Sequence, residues 1–159
     1  MKTNFIIFTE KEIETIEFLA VIKENDMKTH AQLKKDLDKV FSQYIRWYYA
    51  DDNGFVECYT CGVSKHVKQM QNGHFQSRKH TSTRWLHNSS IANCKPQCQK
   101  CNIWSEGEKW QYGKKLEAEY GVEAVEELVQ LSHKSIKYDK QDLISLIQHY
   151  KMLLKEICV

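Results

Sequence analysis

Two Cys-x-x-Cys pairs, Cys58–Cys61 and Cys98–Cys101, constrain this chain more than any other feature of it. Each pair brings two thiolates to one cation from a single tight turn, and two such turns complete a tetrahedral four-cysteine shell. The shell staples its two ends together, so the stretch from Cys58 to Asn102 has to fold as a unit. Four thiolates leave no open coordination position, so a Zn2+ ion held there, one per chain, is structural. Six cysteines also allow a disulfide framework, and a Cys-x-x-Cys can be a redox motif. A chain of 159 residues can bury a core without such staples, however, and a doubled motif suits metal better than redox chemistry. Cys94 is a competing thiol, but Cys98-x-x-Cys101 makes the better knuckle. The apolar run Phe5–Phe8 is too short for a signal peptide and no stretch reaches membrane-spanning length. A cytoplasmic protein with reduced thiols and no membrane partner is therefore expected.

Charge singles out the same segment. The formal net charge is only +2, yet Gly62–Lys115 carries ten Lys or Arg against Glu106 and Glu108, a local +8 between flanks of −3 each. A basic centre between mildly acidic flanks points to an anionic partner for the middle of the chain.

Around that centre the pattern is helical. Thr9-Glu-Lys-Glu12 resembles a capping box, with Ile13, Ile16, Phe18, Leu19 and Ile22 spaced for a helix face, although the β-branched content leaves a strand open. Thr29 and Gln32 can cap a helix from His30 to Tyr49, whose apolar face is Leu33, Leu37, Phe41, Tyr44, Ile45 and Tyr48. Asn53-Gly54 is a turn signal, and Phe55–Tyr59 reads as a strand entering the first knuckle. Val67–Phe75 is a candidate strand with His74 near its end, Gln76–Ser90 a loop, and Ile91–Gln97 a return strand with Pro96 at a sheet edge. Helices are expected after Asn102, with Trp110, Leu116 and Tyr120 on one face, then from Val122 to His133, and from Asp139 onward. In that last helix Leu143, Ile144, Ile147, Tyr150, Leu154 and Ile157 face inward. The fold class is α+β, and the parts are an N-terminal helical region (1–54), a zinc-bound core (55–115) and C-terminal helices (116–159) in one compact domain. Trp47, Trp85, Trp104 and Trp110 read as core rather than base-stacking residues, Trp85 in the basic loop being the best exception. Cys158 reads as core filler, and His66, His133 and His149 carry no functional signal.

Cutting a phosphodiester takes an activated water, a cation to offset charge on the phosphorus and leaving oxygen, and alignment of the scissile phosphate. An imidazole can take the water's proton near neutral pH. An Asn carbonyl can serve a hard cation such as Mg2+ or Mn2+ while water fills the remaining positions. His74, between the knuckles, and Asn102, immediately after the second, are residues of these types.

Taken together, Cys58-x-x-Cys61-Gly62, Gly73-His74-Phe75-x-Ser77-Arg78, Thr83-Arg84-Trp85, Asn93 and Gln97-Cys98-x-x-Cys101-Asn102 resemble the NinG (Rap) recombination proteins of lambdoid phages. More widely, the layout is similar to zinc-containing HNH nucleases of the ββα-metal (His-Me finger) fold. The likeness covers about residues 30–132 and includes Arg46 and the Ala50–Gly54 turn. It implies a small zinc-stapled, HNH-like nuclease core and a phage-encoded DNA endonuclease of recombination, selective for branched DNA such as Holliday junctions or D-loops. In that reading His74 is the general base, Asn102 holds the catalytic Mg2+ or Mn2+, and Asn93 braces the loop around His74. Cys58, Cys61, Cys98 and Cys101 hold zinc; Arg78, Lys79, His80 and Arg84 are the DNA-binding candidates. Paired cuts across a junction would suit a homodimer. Two departures stand out. Many HNH nucleases have an acidic metal ligand directly before the histidine, where this chain has Gly73, with His80 as the spare ligand; and Leu86–Ala92 is longer than the pattern. The alternative to an enzyme is a zinc-stapled nucleic-acid-binding module whose nuclease site is inactive.

Overall fold

The structure, a computed structural model, describes Thr9, Thr15 and residues 27–157. The expected first helix and the place of Cys158 lie outside the described residues.

Helix α1 (His30–Tyr48) starts where its sequence says. The Thr29 hydroxyl accepts from the Gln32 amide while the Gln32 side chain accepts from the Thr29 amide, closing a capping box. Its buried stripe is Leu33, Leu37, Val40, Phe41, Tyr44 and Ile45, the three- and four-residue steps of one helical face. Tyr48, expected on that face, is exposed and packs edge-on to Tyr49 and His87 instead. A turn follows in which the Asp51 carboxylate accepts from the amides of Asn53 and Phe55, and Gly54 takes a φ of +77°.

Two small antiparallel sheets make up the centre. Strands β1 (Phe55–Glu57) and β2 (Ser64–His66) flank the first knuckle. A 3-10 turn, Val67–Gln69, then leads into β3 (Met70–His74), which pairs with β4 (Cys94–Cys98). In that pair Met70 lies opposite Cys98 and His74 opposite Cys94. Both strands are shorter than their sequence candidates. Val67 is buried from the 3-10 turn, and residues 91–93 are drawn into the loop by an isolated His87–Ala92 bridge. After β4 the chain winds through one π-helical turn, Lys100–Trp104, closed by the Ser105 amide on the Lys100 carbonyl at 2.9 Å.

Helices α2 (Lys109–Tyr120) and α3 (Val122–Ser132) form a hairpin about Gly121, whose φ of +89° makes the sharp reversal. Tyr112, Leu116, Val125 and Leu128 are its buried contact. Trp110 does not share that face, because a six-residue step to Leu116 carries it to the other side of the helix, whereas Tyr112, Leu116 and Tyr120 align at four-residue steps. Helix α4 (Lys140–Ile157) opens with a reciprocal pair, Asp139 and Asp142 each accepting the other's amide. Its Leu143, Ile144, Ile147 and Tyr150 pack against α1, while Ile157 is exposed at its end. Each fully buried Leu or Ile there contributes about 1.5–3 kcal/mol. No helix among the described residues is long and apolar enough to cross a membrane.

Candidate active site and metal centre

The first knuckle turns at Gly62, whose amide donates to the Cys58 carbonyl at 2.8 Å with φ at +76°. The second spans the end of β4 and the π turn. Together they bring the sulfurs of Cys58, Cys61, Cys98 and Cys101 within 4.8 Å of one another. Cys61 Sγ and Cys98 Sγ are 3.8 Å apart. A tetrahedron with zinc–sulfur bonds of about 2.3 Å has edges of about 3.8 Å, so the group is the right size for such an ion. Burial alone would raise the Cys58 thiol, but amide hydrogen bonds from Cys61, Cys98 and Thr60, with the Thr60 hydroxyl, outweigh it and bring it down to about 6. Burial pushes Cys101 up to about 12, with the Cys58 charge adding to the shift. A bound divalent cation reverses that penalty, because it attracts the thiolate form of every ligand. The four cysteines can therefore hold a structural zinc. Cys94 stays out of the cluster, fully buried with its sulfur against the Arg84 carbonyl.

On the far side of the second knuckle a cleft of about 640 Å3 is lined by His74, Arg78, Asn102, Arg46, Asn72 and Lys109, among others. His74 closes β3, and its Nε2 lies 3.1 Å from the Arg84 carbonyl. A carbonyl only accepts, so Nε2 carries the hydrogen and Nδ1 keeps its lone pair. Burial, helped by the nearby Arg78 charge, lowers the ring's pKa to about 4 against the opposing pull of the Arg84 carbonyl, the Asn72 backbone and the Asp38 charge. The ring is neutral at physiological pH. Asn102 projects from the π turn, its Nδ2 donating to Gln71 Oε1 at 2.7 Å. That bond leaves its carbonyl oxygen as the free end of the amide. Consecutive residues of one turn thus serve two sites, Cys101 the sulfur cluster and Asn102 the cleft.

Asn93 is fully buried behind the cleft. Its Oδ1 accepts from the Gln76 amide at 2.7 Å, and its Nδ2 donates to the carbonyls of Gln76 and Thr83 at 3.0 and 2.9 Å. That one side chain, from the end of the loop after His74, ties down the loop's start and its middle. Lys109 adds a cation beneath it, Nζ donating to the carbonyls of His74 and Phe75. Tyr112 donates to the Gly73 carbonyl at 3.1 Å.

A family described as Bacteriophage Lambda NinG protein matches residues 10–158 of the chain. The chain belongs to the NinG family. Nothing among curated proteins or solved structures matches it. The NinG match spans both the sulfur cluster and the cleft, so the two are parts of one family unit.

The DNA-binding candidates of this NinG-family chain divide. Arg78 lines the cleft and Lys79 is exposed beside it. Arg84 is committed within the molecule: Nε and Nη2 fork onto the Asp38 carboxylate of α1, and Nη1 donates to the Arg78 carbonyl at 3.1 Å. His80 is drawn away toward α3, donating from Nδ1 to the Ser132 carbonyl at 2.8 Å, and does not line the cleft. Within the extra-long stretch Leu86–Ala92, His87 is enclosed by the hydroxyls of Tyr44 and Tyr49, and Asn88 caps a turn through the amides of Ser90 and Ile91.

Gly73 also has a reason. A Cβ there would lie 2.1 Å from Oε1 of the fully buried Gln97, so no acidic side chain fits before His74. The tryptophans reverse their expected order. Trp85 is buried with its Nε1 on Asp38, whereas Trp104 and Trp110 are exposed. Sequence reading gave no site role to several cleft residues, Arg46 and Asn72 among them. The guanidinium of Arg46 donates from Nη1 to Ser42 at 2.8 Å, but its buried Nε has no partner; nor has the buried Oδ1 of Asn72. Burial lowers the Arg46 pKa, and no carboxylate pairs with it among the described residues. An unpaired arginine at a helix C-terminus would have been the signal, but in a sequence it reads as a solvated charge.

Proposed function

We propose that this NinG-family chain is a metal-dependent DNA endonuclease with an HNH-like, ββα-metal core. One observation carries the reading. His74 and Asn102 line a single cleft, and each has its other end already engaged: the imidazole by the Arg84 carbonyl, the amide by Gln71. What these bonds leave for chemistry is the other imidazole nitrogen and an amide oxygen, a base and a cation ligand of the kinds hydrolysis of a phosphodiester needs. The order of strand, long loop, strand and helical turn, with His74 ending the first strand and Asn102 in the turn, supports the ββα-metal assignment.

In this mechanism Nδ1 of His74 takes the proton of the attacking water. The Arg84 carbonyl holds the ring's tautomer and stabilises the imidazolium that forms. Arg78 and Arg46 line the cleft, where their guanidinium groups can grip the phosphate. A Mg2+ or Mn2+ ion bound by the Asn102 oxygen, with phosphate and water oxygens, would offset the charge developing on phosphorus and the leaving oxygen. Glu106 is the carboxylate on the rim free to join Asn102, since Asp38 is held by Arg84 and Trp85. Zinc in the four-cysteine cluster has the structural task of fixing the π turn against the first knuckle, and with it the position of Asn102. The substrate is DNA, read through phosphates and shape rather than base edges, and branched DNA is the form the family resemblance favours.

The scarcity of free carboxylates in the cleft also favours a second reading, a zinc-stapled DNA-binding module without activity. One experiment separates the two. Zinc-loaded protein is mixed with junction and duplex DNA, with no added divalent cation, with Mg2+ or with Mn2+, beside an Asn102→Ala variant. The nuclease reading expects nicking that depends on Mg2+ or Mn2+ and is lost in the variant. Binding with no nicking under any condition leaves the inactive module.

A further inference from the structure

Two of the most exposed large apolar side chains among the described residues sit next in the chain to residues of the cleft. Trp104 is 72% and Trp110 73% exposed. Each follows directly on a residue that lines the cleft, Trp104 after Ile103 in the π turn and Trp110 after Lys109 at the start of α2. Ile103 is itself 53% exposed. Indole surface left in water beside a polar cleft is costly, and burial in the core does not account for it.

The charges around the two rings say what covers them. Lys100, Lys114 and Lys115 are exposed in the same run of chain, with Nζ of Lys114 5.0 Å from the centre of the Trp110 ring. Glu106, Glu108 and Glu117 are the opposing acids, Glu117 pairing with Lys114 at 3.1 Å. Lysine is depleted from the centres of protein–protein interfaces, whereas aromatic rings among lysines are the makings of a surface for unpaired nucleotides. Every base offers a flat face to an indole, and the lysines meet the adjoining phosphates.

We infer that Trp104 and Trp110 form a stacking platform for unpaired bases at the mouth of the cleft, so that DNA with a branch or single-stranded gap binds more tightly than continuous duplex. The platform rests on the nuclease reading only for its purpose, presenting the backbone next to an unpaired base to His74 and Asn102. A stacked base gives about 1–3 kcal/mol, or about five- to a hundredfold in affinity per ring.

The test measures binding in EDTA, where cleavage plays no part. Wild type, Trp104→Ala, Trp110→Ala, the double alanine variant and the double phenylalanine variant are titrated with a gapped or forked DNA, oligo-dT and linear duplex of equal length. Tryptophan fluorescence and sedimentation are recorded alongside. Saturable quenching by oligo-dT is expected in wild type. The double alanine variant should lose about tenfold or more on forked DNA and less than about twofold on duplex, with the phenylalanines restoring most of the loss. Equal weakening on all DNAs, no weakening, or a change of oligomeric state with unchanged DNA binding overturns the platform. A wild type that binds forks through these rings yet never nicks with Mg2+ or Mn2+ keeps the platform and sinks the nuclease. One that nicks while the alanine variants bind normally does the reverse.

Discussion

At neutral pH the ring of His74 is uncharged because burial pushes its pKa down to about 4, and an uncharged ring is the form that can accept a proton. The acid limb of the cleavage rate should follow that value rather than the ordinary histidine one. Single-turnover rates are expected to change little between about pH 8 and pH 6 and to fall only below about pH 5. Arg46 gives a second test at this scale. Lysine keeps the charge but not the planar fork, so Arg46→Lys should cut cleavage about ten- to a hundredfold while junction binding, followed by gel shift, weakens far less. Gly73 gives a third. Gly73→Asp restores the acid that HNH nucleases carry, yet its Cβ would meet Gln97 Oε1 at 2.1 Å. The variant should lose about 1–3 kcal/mol in denaturant titrations and gain no activity. Residue roles were only partly legible in the sequence. The four cysteines are recognisable because ligand spacing is local chemistry. The partners that decide other residues come from far along the chain: Asp38 engages Arg84, and Ser132 draws His80 out of the cleft.

The element that joins the two sites is the π turn Lys100–Trp104. Sequence reading expected helix from Asn102 and had no means of seeing that a wider turn precedes α2. Helix propensity does not report the extra residue that lets Cys101 face the sulfurs while Asn102 faces the cleft. If the cluster holds zinc, the turn depends on it. Chelation, or Cys101→Ser, should lower the melting temperature by about 10 °C or more and abolish cleavage even with Mg2+ in excess, because the amide of Asn102 loses its place. The loop between β3 and β4 has a different anchor. Asn93 satisfies one amide and two carbonyls in the interior, so Asn93→Ala strands all three. A loss of about 2–4 kcal/mol is expected in denaturant titrations.

On the scale of the molecule, amphipathic faces in the sequence announced helices but not their partners. The faces of α1 and α4 were readable from three- and four-residue steps; that the two pack on each other, enclosing Trp85 and Cys94, was not. That packing carries the basic loop with it, since Tyr150 of α4 donates to the Trp85 carbonyl and Asp38 of α1 holds both Arg84 and Trp85. Two half-buried histidines make the fold acid-sensitive. Burial pushes His87, like His74, down to about 4, with the Lys95 charge adding to it. Both rings are neutral in the folded chain between that value and the ordinary histidine pKa of about 6.5, whereas the unfolded chain takes up protons there. Stability therefore falls as pH drops from about 6.5 toward about 4, and stops depending on these two groups below that.

The most direct measurement is single-turnover cleavage of a labelled junction in Mg2+ by saturating wild type and His74→Ala, with binding of each checked in EDTA. The account predicts equal binding and a loss of about a hundredfold or more in rate for the variant. A variant that cuts as fast as wild type, or a wild type that binds and never cuts, contradicts it.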